Sequence, residues 1–282
     1  MYKIINCRYI NQTVKLFEIE APVIASNNRA KPGQFVILRI NEDGERIPIT
    51  IADTNPVGTI TVIVQGIGKT TKELLTKEKG DYILDVVGPL GKPTHIQKFG
   101  TCVVIGGGVG TAIAYPMAKA LKKAGNKVIV IIGGKTVEFA ILQDEIGAFA
   151  DEVYVTTDDG SAGEKGLVTD KLLSLIASGD SIDYVFAIGP VMMMQAVANI
   201  TNTPTSSYTI PTVVSLNPVM LDGTGMCGCC RAIVGGKTVF VCIDGPEFDA
   251  HEVDFDTLIK RNKMYKTQED CSLCKFKEKY GI

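Results

Sequence analysis

Hydrophobic and polar positions change rhythm twice along the chain. Early on, β-branched and aliphatic residues come in short runs at 36–40, 47–51, 59–64 and 82–87, cut by Pro, Gly, Asn and Asp. Such runs read as strands, with 69–77 as the one good helix candidate among them; many short strands with a single small helix predict a β-barrel. From residue 101 the pattern alternates. Apolar strands at 101–105, 127–132, 153–156 and 183–188 interleave with helical stretches at 111–124, 139–149, 169–178 and 191–198. That order predicts a parallel, doubly wound α/β sheet. Beyond about 212, short strands gather round a group of cysteines before a charged end. The expected organisation is a barrel over 1–97, an α/β domain over 98–211, a cysteine module over 212–256 and a charged C-terminal tail over 257–282.

Composition narrows the function classes. Lys plus Arg number 29 against 31 for Asp plus Glu, a net charge of −2 that excludes a strongly basic nucleic-acid binder. Two uncharged stretches, 100–118 and 184–221, are broken by glycine and proline short of the roughly 20 apolar residues a spanning helix needs. With no export signal at the start, the expectation is a cytoplasmic chain with no membrane attachment. Two histidines, His95 and His251, exclude a multi-histidine metal site. The cysteines are unevenly spread: Cys7 and Cys102 stand alone, Cys227, Cys229, Cys230 and Cys242 crowd together, and Cys271 and Cys274 lie near the end. Crowding of that kind favours metal ligation in a reducing compartment over a disulfide framework.

Three stretches carry candidate chemistry. Gly106-Gly107-Gly108-Val109-Gly110-Thr111 follows a buried strand and opens a helix, the setting in which glycines let backbone N–H groups approach a pyrophosphate. Asp158, after the third strand, and Gly189-Pro190, after the fourth, should meet this turn along one edge of the sheet. In the barrel section, Arg46-Ile47-Pro48-Ile49-Thr50 lies on or beside a strand and is bland taken alone, whereas Gly68-Lys69-Thr70-Thr71 opens the lone helix and offers an anion free N–H groups and a hydroxyl. Asp222-Gly223-Thr224-Gly225-Met226-Cys227-Gly228-Cys229-Cys230, with Cys242, offers thiolates on a glycine-rich loop. Iron–sulfur clusters use such ligands, and structural zinc remains the alternative.

At these residues the chain resembles the ferredoxin–NADP reductase superfamily with a terminal 2Fe–2S module. Within it, the pattern is similar to electron-transfer subunits of B-type dihydroorotate dehydrogenase and small subunits of NADH-dependent reduced ferredoxin:NADP oxidoreductases. The resemblance implies FAD on the barrel. Arg46 would meet the flavin pyrophosphate, Pro48 would shape the strand, and the Thr50 hydroxyl would approach flavin N5 as the catalytic contact. Gly68, Lys69, Thr70 and Thr71 would form the flavin-side helix start, Thr70 standing where the family has glycine. Gly106, Gly107, Gly108, Gly110, Thr111, Asp158, Gly189 and Pro190 would serve NAD(H) or NADP(H), with Ile188 where the family has a cysteine. Asp222, Cys227, Cys230 and Cys242 would bind the 2Fe–2S cluster, leaving Cys229 spare. Aspartate at the first ligand position favours the ferredoxin:NADP branch.

The implied activity is electron transfer between a pyridine nucleotide and a larger flavin- and 4Fe–4S-containing partner subunit, in an electron-bifurcating heterodimer that also serves ferredoxin. Two alternatives stand beside it: the electron-transfer subunit of NAD-dependent dihydroorotate dehydrogenase, and a nucleotide-sensing module with structural zinc. The tail lies outside the resemblance and reads as solvated, or as a docking segment for a partner.

Overall fold

In a computed structural model the chain is described over residues 1–26, 29–179, 181–202 and 209–280. Strands β1 (Tyr2–Asn11), β2 (Val14–Glu20), β3 (Phe35–Arg39), β4 (Arg46–Thr54), β5 (Thr59–Gln65), β6 (Tyr82–Ile83) and β7 (Asp85–Leu90) form one antiparallel sheet, ordered β6-β1-β2-β5-β4-β3-β7. Ile4, Phe17, Val36, Leu38, Val62, Ile83 and Val86 meet in one core, so the sheet wraps round its own interior as a barrel. Helices α1 (Pro22–Ala25) and α2 (Lys69–Leu75) cover it. The hairpin of β1 and β2 had no clear signal in the sequence. Most of β1 is exposed or half-buried, which dilutes its alternation, and Lys15 interrupts the apolar face of β2. That lysine is 1% exposed because its ammonium donates to Leu75 O, Lys77 O and Glu78 Oε1 at 3.2, 2.7 and 2.7 Å, capping the C-terminal end of α2.

The second sheet begins with β8 (Thr101–Gly107), β9 (Lys127–Gly134), β10 (Glu152–Thr157), β11 (Glu164–Lys165), β12 (Tyr184–Ile188) and β13 (Thr212–Ser215). A separate hairpin, β14 (Arg231–Val234) and β15 (Lys237–Phe240), precedes β16 (Glu247–Asp249), which pairs antiparallel with β13 and closes the order β11-β10-β9-β8-β12-β13-β16. The other pairs are parallel. Period two splits each central strand between two cores. Val103, Ile105, Ile129 and Ile131 face one, while Cys102, Val104, Val130 and Phe186 face the other, so both faces of the sheet are buried.

Helices α3 (Gly110–Lys123), α4 (Gln143–Gly147), α5 (Val168–Ala177) and α6 (Val191–Thr201) flank this sheet. The single helix expected over 139–149 is instead a 3₁₀ turn at Val137–Phe139 followed by α4. Leu142, at φ 61, turns the chain left-handed between them, and its burial holds it there. After α7 (Val241–Asp244), the charged end forms α8 (Phe255–Asn262) and α9 (Lys266–Tyr280). The last helix packs on α2 of the barrel, and Phe276 is 6% exposed. Among the described residues, no helix is long and apolar enough to cross a membrane.

Candidate functional site

The glycine turn sits between β8 and α3, where the strand order reverses direction, the place at which open α/β sheets hold ligands. Its shape is enforced by backbone contact. A Cβ at Gly110 would lie 2.5 Å from Ile188 O, so α3 can start this close to the end of β12 only with glycine there. Gly108, by contrast, has open space where a side chain would be, and it lines a cleft of about 520 Å³ with Gly107, Gly133, Lys135, Asp158 and Pro190. Gly106, Gly189 and Thr111 frame the turn from behind. Thr111 is fully buried and its hydroxyl donates to Gly106 O at 3.2 Å, so it braces the turn and offers no side-chain contact to a ligand. Ile188 is buried beneath. Three lining residues had no motif to reveal them: Leu167 and Met192, both strongly exposed apolar side chains, and Gln65, from the end of β5. Gln65 brings the barrel to the rim of the cleft.

On β4, Ile47, Ile49 and Ile51 turn towards the barrel core, which leaves Arg46, Pro48 and Thr50 on the opposite face. The register sets Phe35 opposite Thr50, Ile37 opposite Pro48 and Arg39 opposite Arg46, so these six side chains share that outer face. Arg39 is held by Asp85 at 2.7 Å, whereas Arg46 is exposed with no carboxylate within 4.0 Å among the described residues. At the start of α2 the hydroxyls are engaged internally. Thr71 accepts the N–H groups of Ile67 and Gly68 at 3.0 Å, and buried Thr70 donates to Glu45. Lys69 stays available and lines a second cleft, of about 550 Å³, with Ser272 and Lys275 of α9.

The cysteine loop rests on this same outer face. A Cβ at Gly223 would lie 2.6 Å from Leu90 Cδ1 and 3.0 Å from Ile37 Cγ1, and Phe35 and Ile37 belong to one core with Cys230 and Cys242. The buried Cys230 and Cys242 sulfurs stand 3.2 Å apart, with the Cys242 N–H 3.5 Å from Cys230 Sγ. Burial, then the neighbouring Cys230, pushes the Cys242 thiol up to about 12. Cys227 is exposed and Cys229 half-buried. Asp222 turns onto its own loop, accepting from the N–H groups of Thr224, Met226 and Cys227 at 3.1, 3.0 and 2.9 Å. Burial acts to raise its carboxyl, but the donated N–H bonds outweigh it and bring the group down to about 2.

Thus Cys230 and Cys242 are brought together, while Asp222 and Cys227 are not closed onto them. Among the described residues, no three His, Cys, Asp or Glu side chains converge tightly enough to hold a metal ion. The donor set nevertheless fits an iron–sulfur cluster: soft thiols on a glycine-rich loop, one pair already in contact, and a backbone N–H aimed at sulfur.

Comparison with known proteins agrees with both halves of this site. Residues 217–254 match the iron–sulfur cluster binding domain of dihydroorotate dehydrogenase B, and residues 104–199 match the oxidoreductase NAD-binding domain. Fold and site therefore define an NAD-binding oxidoreductase subunit with an iron–sulfur module, built on the ferredoxin–NADP reductase plan. A Thermotoga maritima protein described as a homolog of the dihydroorotate dehydrogenase B (NAD(+)) electron transfer subunit is 47% identical over 266 residues, covering 94% of this chain and 92% of its own. The Fusobacterium nucleatum dihydroorotate dehydrogenase B electron transfer subunit is 34% identical, over 80% of this chain and 87% of its own. A chain from the structure of NADH-dependent reduced ferredoxin-NADP oxidoreductase superimposes with a TM-score of 0.90 at 45% identity, covering 98% of both chains. The chain belongs to the family of dihydroorotate dehydrogenase B electron transfer subunits and their homologues.

Proposed function

We propose that this chain is an FAD- and 2Fe–2S-containing electron-transfer subunit that exchanges hydride with NAD(H) or NADP(H) and delivers electrons to a larger flavin- and 4Fe–4S-containing partner in the cytoplasm. One observation carries the reading: Arg46, Pro48 and Thr50 share the outer face of the barrel with Ile37, on which the cysteine loop rests. When bound, the flavin supplies two-electron exchange with nicotinamide and the cluster single-electron exchange, so the pair converts one into the other.

The chain's own residues divide the work. Arg46, an unpaired cation, binds the flavin pyrophosphate with Lys69 and the N–H groups after Gly68, while Thr70 and Thr71 shape that helix start. Pro48 keeps the strand face flat, and the Thr50 hydroxyl hydrogen-bonds near flavin N5. The turn from Gly106 to Thr111 takes the dinucleotide pyrophosphate, and Gly189-Pro190 flanks the nicotinamide end, with Ile188, where the family has a thiol, buried beneath them. Asp158 and Lys135 line the same cleft, the carboxylate as an acceptor for ribose hydroxyls and the ammonium as a partner for phosphate, so either NAD(H) or NADP(H) suits it. Cys227, Cys230, Cys242 and Asp222 hold the cluster. For Asp222 this requires the carboxylate to exchange its loop N–H groups for iron.

The likeness to the ferredoxin-NADP oxidoreductase chain at 45% identity over its whole length supports an electron-bifurcating complex serving NADH, ferredoxin and NADP. A second reading, a subunit serving dihydroorotate oxidation, is supported by the name of the relative at 47% identity. Anaerobic purification of the native complex tests both. A partner with 4Fe–4S centres that reduces ferredoxin is the expected result, and a partner that forms orotate decides for the second reading. Arg46→Ala should purify largely without flavin bands; stoichiometric FAD in that variant removes the arginine from the site.

A further inference from the structure

Two arginines stand against the cysteine loop with no carboxylate within 4.0 Å among the described residues. Arg261, in the last turn of α8, donates from Nη2 to Cys229 O at 3.1 Å. Its Nε is buried and has no hydrogen-bond partner among the described residues. Arg231, at the start of β14, brings Nη1 within 2.9 Å of the point a Gly228 Cβ would occupy. Together with Cys227, Cys229 and Asn262 they line a cleft of about 230 Å³. Two other arginines of this chain find carboxylates, Arg8 with Glu145 and Arg39 with Asp85. Neither Arg231 nor Arg261 has one within 4.0 Å among the described residues. The acidic groups of α8 lie at its other end, where Asp254 caps the helix through Thr257 and Asp256 meets Gln195.

We propose that Arg261, assisted by Arg231, holds up the reduction potential of the cluster in the adjacent loop by placing unpaired positive charge against it. The inference rests on the iron–sulfur reading above. Three thiolates and a carboxylate make the loaded loop strongly anionic, and one-electron reduction adds another negative charge with no bond made or broken and no proton moved. A fixed cation at the loop backbone favours the reduced form. Guanidinium stays protonated at any working pH, so the contribution does not titrate away. The two arginines differ in weight. Arg261 is partly buried and acts through a medium of low polarity, while Arg231 is exposed and screened by salt. Arg261 also ties Cys229 to α8, a purely structural service that any test must separate from its charge.

Spectroelectrochemical titration of the full chain, followed by the EPR signal of the reduced cluster, makes that separation. Arg261→Gln should shift the reduction equilibrium about tenfold towards the oxidised cluster, roughly 59 mV for a one-electron couple. Arg231→Gln should shift it the same way by less, about threefold, and more salt should shrink that shift first. Arg261→Lys, which keeps the charge and loses the fork, should titrate close to the parent. If Arg261→Gln does not retain a cluster, the Arg231→Gln titration at low salt decides the matter by itself. Superimposed curves for parent and glutamine variants overturn the proposal, as does a lysine variant that shifts as far as glutamine. A parent chain reconstituted with iron and sulfide that shows no cluster spectrum overturns the iron–sulfur reading itself, a failure distinct from an unshifted potential.

Discussion

The glycine turn at 106–111 and the glycine-rich loop at 222–230 use the same residue to opposite ends. In the turn, missing side chains let α3 pack against β12, and the result is complete without a ligand: strand, helix and the N–H of Gly108 on Gly133 O at 2.7 Å hold it. In the loop, glycines let the chain fold over the barrel, but the ligating side chains do not close. Asp222 serves its own amides, and Cys227 faces solvent. A site built from backbone is preorganised by folding, whereas one built from side chains is completed by what it binds.

The largest expected effect tests the loop. Cys230→Ser or Cys242→Ser should abolish the cluster absorption altogether, while Cys229→Ser leaves it; loss in the Cys229 variant would reassign the ligand set. Gly110→Ala tests the turn next. Its methyl meets backbone at Ile188, so the variant should lose about 3 kcal/mol in urea unfolding, with NADH binding lost as well. A cost below about 1 kcal/mol would show the turn to be pliable after all.

The seam between the cysteine module and the barrel gives a smaller, pH-dependent effect. Glu247 on β16 lies within the cysteine module, takes a hydrogen bond from Thr94 at 2.6 Å, and is close to Gly33 of the barrel. Burial pushes its carboxyl up to about 7, against an ordinary 4.5. The folded chain therefore holds a proton that the unfolded chain has released, and the associated stability is full below about 4.5 and lost as pH rises through about 7. The loss is at most about 3 kcal/mol, and Glu247→Gln should flatten it. An unchanged slope of urea midpoint against pH in that variant would place the titration elsewhere. The smallest stability effect belongs to Gly108→Val: the side chain has room, the φ of 57 costs about 1–2 kcal/mol, and NADH reduction should still slow at least about tenfold because the cleft is filled.

What could be read from the sequence followed the same division. The strands 101–107 and 127–134 and the turn between β8 and α3 announce themselves because both faces are apolar and glycines punctuate them. The barrel was legible as a class, yet its first hairpin was not, since Lys15 is buried by three acceptors that lie 60 or more residues away. The placing of Asp222 on its own amides, and the unpaired state of Arg231 and Arg261, depend on tertiary contact and leave no periodic trace. Phe276 similarly gave no hint within its charged surroundings that α9 would dock on α2.

If the barrel face and the cysteine loop hold the proposed groups, the aliphatic layer of Ile37 and Leu90 beneath Gly223 is a dielectric contact between them. It lies on β3 and β7, beside the strand of Arg46, Pro48 and Thr50, and is one side chain deep under the cysteine loop. In the proposed reading electrons can tunnel through it, but protons cannot follow.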